Sequence, residues 1–235
     1  MKTIIAASRN EHKIKEITAI TEKYGMKVIS RDDAGIPHFE IEEDGDTFEE
    51  NSYKKAYEIM KYSNEITIAD DSGLEVDYLN GEPGVYSARY AGDNADDKKN
   101  NEKLLCMLDG VTYTDRRAKF VSVITIVFPD GETLVARGEC QGHIIDREEG
   151  EFGFGYDPLF IPNGYQRTFA QMDAETKNKI SHRAKALEEM ERLLSERDRK
   201  ILYGVVLEGK SYSSLSKEFG LTDKTVKRHY ERIIE

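Results

Sequence analysis

Apolar positions along the chain fall into short alternating runs and helical stripes, interleaved from one end to the other. Residues 3–7 read as a first strand and the polar stretch 8–12 as a turn. From 13 to 24, Ile14, Ile17, Ile20 or Thr21, and Tyr24 return on one stripe, which predicts an amphipathic helix. Residues 28–30 predict a second strand, 31–46 an acidic loop, and 48–62 a helix burying Phe48, Ser52, Ala56 and Ile59. An apolar strand over 65–69 runs into Asp70-Asp71-Ser72-Gly73, which reads as a polar turn; 74–78 extends the strand or forms the next one. Gly81-Glu82-Pro83-Gly84 signals a turn, and 96–108 a helix. Residues 118–128 alternate and then become continuously apolar, as in a central strand. Pro129-Asp130-Gly131 predicts a hairpin turn and 132–139 its partner strand. Residues 140–168 are rich in Gly and aromatics, with little periodicity. A helix over 182–194 turns Ala186, Leu187, Met190 and Leu194 inward.

This interleaving predicts an α/β or α+β domain around a central mixed sheet. The last part of the chain reads differently. Three short helical patterns cover 197–207, 211–219 and 223–234, with Gly220-Leu221-Thr222 as a tight turn. Leu215, Phe219, Val226, Tyr230 and Ile233 or Ile234 would form their common core. The expected division is a main domain over 1–194 and a small all-α tail over 195–235.

Charge sharpens that division. Residues 1–194 carry 25 Lys and Arg against 38 Asp and Glu; residues 195–235 carry nine against seven. A main domain this acidic is a poor general binder of nucleic acid, so phosphates would have to be met by a local pocket or a metal. No apolar run approaches the roughly 20 residues of a membrane span, and the N-terminus turns polar too early for a signal peptide. The expectation is a cytoplasmic protein with no membrane partner. The two cysteines, Cys106 in a helical stretch and Cys140 after a strand, have neither zinc-ligand nor disulfide spacing.

Five groups carry candidate chemistry. Ser8-Arg9-Asn10-Glu11-His12-Lys13 joins a strand to a helix, where free N–H groups and a lysine can cradle phosphate; Ser8 or Asn10 also suits a simple helix cap. Asp70-Asp71-Ser72-Gly73 ends an apolar strand, and a hard cation would account for two adjacent carboxylates there. Glu40, Glu42, Glu43, Asp44, Glu49 and Glu50 form an acidic cluster, one of which could complete such a site; Thr47 with Glu50 reads as a capping box. Lys54 and Lys55 follow on the same helix. Phe152-Gly153-Phe154-Gly155-Tyr156-Asp157 suggests a pocket wall for a flat ligand, with Asp157 offering oxygens to ring N–H groups. Lys177 with Ser181-His182-Arg183 offers donors to a carbonyl or to phosphate. No Ser/His/Asp or Cys/His order supports a covalent hydrolase.

Six segments in order resemble the inosine/xanthosine triphosphate pyrophosphatases, the HAM1-like enzymes acting on non-canonical purine NTPs. They are SRNEHK at 8–13, EEDGDTFEENSYKKA at 42–56, IADDSGL at 68–74, GVYSARYAG at 84–92, GFGYDP at 153–158 and KNKISHR at 177–183. The resemblance implies an elongated mixed sheet with flanking helices, in two lobes around a cleft, usually as a homodimer. It implies hydrolysis of ITP, dITP and XTP to monophosphate and pyrophosphate with Mg2+, or Mn2+ in its place. Ser8, Arg9, Asn10, Glu11, His12 and Lys13 would wrap the triphosphate, with Lys55 near the phosphates. Glu42 would ligate magnesium, with neighbouring Glu43 leaving the register open. Asp71 would be a metal ligand and general base, with Asp70 and Lys13 beside it in the catalytic group, and Ser72 would contact substrate. Phe154, Gly155, Tyr156 and Asp157 would line the nucleoside site, and Lys177, His182 and Arg183 would close over base and phosphates. A related triphosphatase with another base preference is a rival reading.

The tail segment YSSLSKEFGLTDKTVKRHY at 212–230 resembles the helix-turn-helix of sigma-factor region 4 and LuxR-type regulators. That resemblance implies a recognition helix capped by Thr222, with Lys224, Thr225, Lys227, Arg228 and His229 facing DNA. A DNA partner and a protein-contact or dimer-stabilising role both remain open, as does a nucleotide-sensing DNA-binding regulator for the whole chain.

Overall fold

A computed structural model describes residues 3–21, 27–93, 96–206 and 208–234; the side chains at 20, 194–200, 202, 203, 206 and 232–234 stand outside that description. The expected inward positions Tyr24, Leu194, Ile233 and Ile234 therefore lie outside it, as does residue 207. Six strands form one sheet: β1 (Thr3–Ala6), β2 (Lys27–Ser30), β3 (Thr67–Val76), β4 (Arg117–Val127), β5 (Thr133–Ile144) and β6 (Phe160–Pro162). The spatial order is β2-β1-β3-β4-β5-β6. β1 runs parallel to β2 and β3, and the remaining neighbours are antiparallel, so the sheet is mixed as expected.

Alternation along the strands assigns the two faces. On one face Ile4, Ala6, Ile68, Ile124 and Ile126 pack with Ile17 of α1 (Glu11–Thr21) and with Ala186, Leu187 and Met190 of α5 (His182–Val206). On the other, Ile5, Ala7, Ala69 and Val127 pack with Ala56, Ile59 and Met60 of α2 (Phe48–Ser63). Thr47 and Glu50 close the expected capping box at the start of α2. The far halves of β3, β4 and β5 build a second core with Leu104 of α3 (Asp97–Met107), Tyr156, Phe160 of β6, and Phe169. Between the two cores lies the middle of β3, which is Asp70 to Gly73.

Three elements differ from expectation. Asp70-Asp71-Ser72-Gly73 is not a turn but the middle of a continuous ten-residue strand, paired with β4 from Thr67↔Val127 to Val76↔Ala118. The reason for Gly73 is close approach: a Cβ there would sit 2.4 Å from both Gly84 O and Ser87 Oγ. β5 continues to Ile144, so Cys140 lies within a strand. The helices expected at 182–194 and 197–207 are one helix, α5, since no Gly or Pro interrupts residues 183–203. The expected boundary at 194/195 thus falls inside a helix. A short helix, α4 (Ala174–Ile180), precedes α5 and ends at Ser181.

Gly138 of β5 seats the start of α5. A Cβ there would lie 2.2 Å from His182 O and 2.3 Å from Ala186 N, both backbone atoms that cannot rotate away. Gly138→Ala is expected to cost about 1–3 kcal/mol through overpacking. The check is the urea midpoint of the variant, and an unchanged midpoint would show that α5 yields freely.

Beyond the sheet, the end of α5 packs with α6 (Tyr212–Phe219) and α7 (Asp223–Ile234) around Ile201, Leu215 and Val226. Thr222 caps α7 as expected, its Oγ1 accepting from Thr225 N at 3.1 Å. Two of the side chains expected to face DNA do not. Thr225 and His229 are each 1% exposed and lie against the β4–β5 turn. They stand four residues apart, on the flank of α7 that meets the main domain. Lys224 and Lys227 are exposed, and Arg228 is half-buried beside Asp130.

Candidate active site

The pleat of β3 decides what its two aspartates do. Successive strand residues point to opposite faces, so Asp70 joins the α1/α5 face and Asp71 the α2 face. They cannot serve one ion as an adjacent pair, and each finds separate partners.

Asp70 is held from three sides. Its Oδ2 lies 2.9 Å from Lys13 Nζ and 3.0 Å from Arg183 NH2, and its Oδ1 accepts from Ser122 Oγ at 2.5 Å. Burial opposes its charge, but Arg183 and Lys13 outweigh that and hold the carboxyl well below its usual range. Arg183 is fully buried at the start of α5; it also pairs with Glu16 and donates to Ser72 Oγ at 3.0 Å. Glu16 in turn accepts from Lys177 Nζ at 2.8 Å, and Lys177 donates to Asp157 Oδ2 at 2.7 Å. The result is an alternating line of charge: Asp157, Lys177, Glu16, Arg183, Asp70, Lys13. It ties α1, α4, α5 and β3 together through groups that could not be buried singly.

Asp71 faces the other way, into a cleft. Lys55 Nζ lies 2.6 Å from Asp71 Oδ1 and 2.9 Å from Glu43 Oε2, gathering both carboxylates around one ammonium. Burial first, and then the charge of Glu43, push Asp71 up against the pull of Lys55. Glu43 is held low by Lys55 despite the desolvation it meets in the cleft. Glu42 lines the same cleft and, like Glu43, is exposed. The cleft is also lined by Ser8, Arg9, Asn10, Lys13, Arg31 and Arg89, so five cations, with Lys55, meet five acids (Glu40, Glu42, Glu43, Asp70 and Asp71) in one concavity. Asn10 caps α1, its Oδ1 accepting from Lys13 N at 3.1 Å.

A second cavity opens beside the first, sharing Asn10, Lys13, Ser72 and Ala88 with it. Its walls are Phe120, Phe154, Gly155, Tyr156, Asp157, Lys177 and His182. His12 stacks on Phe154 with ring centroids 5.2 Å apart, and Lys177 Nζ sits 4.9 Å from that ring. Asp157 is already committed: Oδ2 accepts from Phe154 N at 2.9 Å as well as from Lys177, so it shapes the Gly153–Phe154 turn from behind. Tyr156 OH donates to Ser87 O at 2.8 Å. His182 stacks on Phe120, and its buried Nδ1 has no hydrogen-bond partner among the described residues. Burial, reinforced by Arg183 and Lys177, holds its imidazole well below the usual range, so the ring is neutral.

The structure thus brings Ser8, Arg9, Asn10, Lys13, Lys55, Asp71 and Ser72 to one cavity, and Phe154 to Asp157 with Lys177, His182 and Arg183 to the next. Glu11 stays outside, exposed and 3.7 Å from Lys15.

The profile of the Ham1 family matches residues 4–193. The chain belongs to the Ham1 family. Among its relatives, this Ham1-family chain is 53% identical over 196 residues to a dITP/XTP pyrophosphatase of Clostridium perfringens, covering 81% of this chain and 96% of the relative. It is 46% identical over 194 residues to a dITP/XTP pyrophosphatase of Bacillus subtilis, covering 83% of this chain and 98% of the relative. The solved Ham1 protein of Staphylococcus aureus superposes with a TM-score of 0.74 at 47% identity, covering 83% of this chain and 99% of that one. The HAM1 protein of Coxiella burnetii gives the same score at 39% identity, covering 83% and 100%. A second profile, Sigma-70 region 4, matches residues 184–235 of this Ham1-family member.

Four residues escaped the sequence reading: Arg31 and Arg89 line the cleft, and Glu16 and Ser122 hold the charged groups behind it. Glu16 lies on the helix stripe next to Ile17, and only its partners 161 and 167 residues away reveal it. Ser122 sits inside an apolar strand, and Arg31 and Arg89 sit in loop and turn segments. Only Arg89 had a local signal, since it lies within the GVYSARYAG segment.

Proposed function

We propose that this protein hydrolyses non-canonical purine nucleoside triphosphates, ITP, dITP and XTP, to the monophosphate and pyrophosphate. The observation that carries the reading is the junction at β3: a cation-lined cleft and an aromatic cavity meet at Asp71-Ser72. A nucleotide laid across it would put its base against Phe154 and its triphosphate among Arg9, Lys13 and Lys55. The scissile phosphoanhydride would then lie beside Asp71.

Asp71 is the base in this reading. It stands in a partly dry site, raised toward proton affinity by burial, and takes the proton of the attacking water. The water attacks the α-phosphorus, and pyrophosphate leaves with its charge met by the cleft cations. Arg183 and Lys13 hold Asp70, and through it the strand that aims Asp71. Neutral His182 offers an unspent ring nitrogen to the purine edge, as a 6-oxo purine requires.

Among the described residues, no group of three or more His, Cys, Asp or Glu is arranged to hold a metal alone. Asp71 and Glu43 nonetheless give two carboxylates facing a phosphate-sized cleft, the donor set magnesium shares with substrate oxygens. We assign the pair as Asp71 with Glu43, since Lys55 gathers those two carboxylates together. Bound there, Mg2+, or Mn2+ in its place, would neutralise phosphate charge and polarise the P–O bond. Stripping divalent cations should reduce turnover to background and Mg2+ should restore it. Full turnover in excess chelator would exclude the metal from the reaction.

The family resemblance supports a homodimer. A cytoplasmic enzyme is part of this reading, because its substrates would be nucleotides of the cell interior; among the described residues no helix is long and apolar enough to cross a membrane. The test is pyrophosphate release from ITP, dITP, XTP and ATP by the full chain. Release from the first three but not ATP is expected. No release from any of the three would refute the reading, and preferential release from modified pyrimidine triphosphates would favour the rival.

A further inference from the structure

Three of the five α7 side chains that would meet a polyanion, Thr225, Arg228 and His229, are spent on the main domain. Thr225 Oγ1 bonds Asp130, and His229 Nε2 lies 3.2 Å from Glu132 Oε2. Arg228 NH2 lies 3.1 Å from Asp130 Oδ2, with its guanidinium 5.4 Å from the centre of the Phe128 ring. The signs are complementary: the β4–β5 turn contributes two acids, and α7 a hydroxyl, a guanidinium and an imidazole. An acidic turn occupies the place a phosphate would take.

Among the described side chains, what the tail leaves outside is close to neutral. Lys210 pairs with Glu208 and Glu218 at 2.9 and 2.7 Å, and Lys227 with Glu231 at 3.5 Å. Lys217 and Lys224 remain exposed, near Glu218 and Asp223 in sequence. A reader of duplex DNA needs a basic stripe that releases several counterions, and the described side chains of this surface form none.

The tail is also built into the main domain from below. α5 is one 25-residue helix, about 37 Å long at 1.5 Å per residue. It begins with His182 and Arg183 at the candidate site and ends with Ile201 and Gly204 in the core of the tail. Gly204 lets α6 come close, since a Cβ there would lie 2.6 Å from Leu215 Cδ2.

We propose that the tail is an internal brace whose partner is this chain's own β4–β5 turn. Docked α7 ties the turn end of that hairpin to the far end of α5. The helix-turn-helix is thereby used as a packing module, and the flank that would meet DNA is consumed.

The test uses the full chain. The double variant Asp130→Ala/Glu132→Ala removes the acids, and Thr225→Val removes the hydroxyl from the other side without changing side-chain shape. Hydrogen exchange of α7 amides is expected to speed up by about tenfold in the double variant and in the same direction in Thr225→Val. Amides of α3, which packs at the opposite end of β4, should not change, which shows the main domain is folded. Binding of a labelled duplex at low salt is expected to be no stronger for the wild-type chain than for Lys224→Glu/Lys227→Glu. Unchanged α7 exchange in both contact variants would overturn the brace. So would duplex binding by the wild type that the Lys224/Lys227 variant loses.

Discussion

Asp71→Asn should lower turnover of ITP by about a thousandfold, the range lost with a positioned general base, while leaving the fold in place. Asparagine keeps the shape and still offers an oxygen to Lys55 Nζ, which now sits 2.6 Å from the carboxylate. Lys55 also keeps Glu43, 2.9 Å away, so no buried cation is stranded. The melting temperature should therefore move little, and the loss should appear in kcat. Steady-state kinetics beside a thermal melt separates the two. A variant that retains most of its turnover would remove Asp71 from the chemistry. One that fails to fold would mean the carboxylate is structural like its neighbour.

Arg183→Ala should fail in the opposite manner. Arg183 is fully buried and is the only link between Glu16 and Asp70 in the alternating line of charge. Its removal leaves two carboxylates facing each other without a cation between them. Breaking a buried pair in this way costs about 3–5 kcal/mol, so the urea midpoint should fall sharply and activity with it. Arg183→Lys should recover little. One ammonium cannot reach Glu16, Asp70 and Ser72 Oγ together as the planar guanidinium does. A stable, active Arg183→Ala chain would show that Lys13 and Ser122 suffice for Asp70.

Local features were the most legible in the sequence. Thr47 and Glu50 announce the start of α2 because both partners lie within four residues. The order of strands and helices was likewise readable from periodicity, and the six ordered segments located the cleft. What escaped depends on chain reversal. Asp70-Asp71-Ser72-Gly73 reads as a turn because three polar residues and a glycine have low strand propensity; ten rungs with β4 override that. Glu16 looks like solvated helix surface until Lys177 and Arg183 arrive from the other end of the chain. Thr225 and His229 look like the outer face of a recognition helix, because nothing near them in sequence tells of Asp130 and Glu132.

The antiparallel pairing of β3 with β4 has a consequence for variants far from the chemistry. A slip of one residue would turn Asp71 into the ion-paired interior and present Ser72 to the phosphates, with every other contact formally available. On the proposed role of Asp71, the register held out to Val76 against Ala118 therefore decides which side chain meets the phosphates. A bulge introduced there would silence the enzyme from a distance without touching a nucleotide.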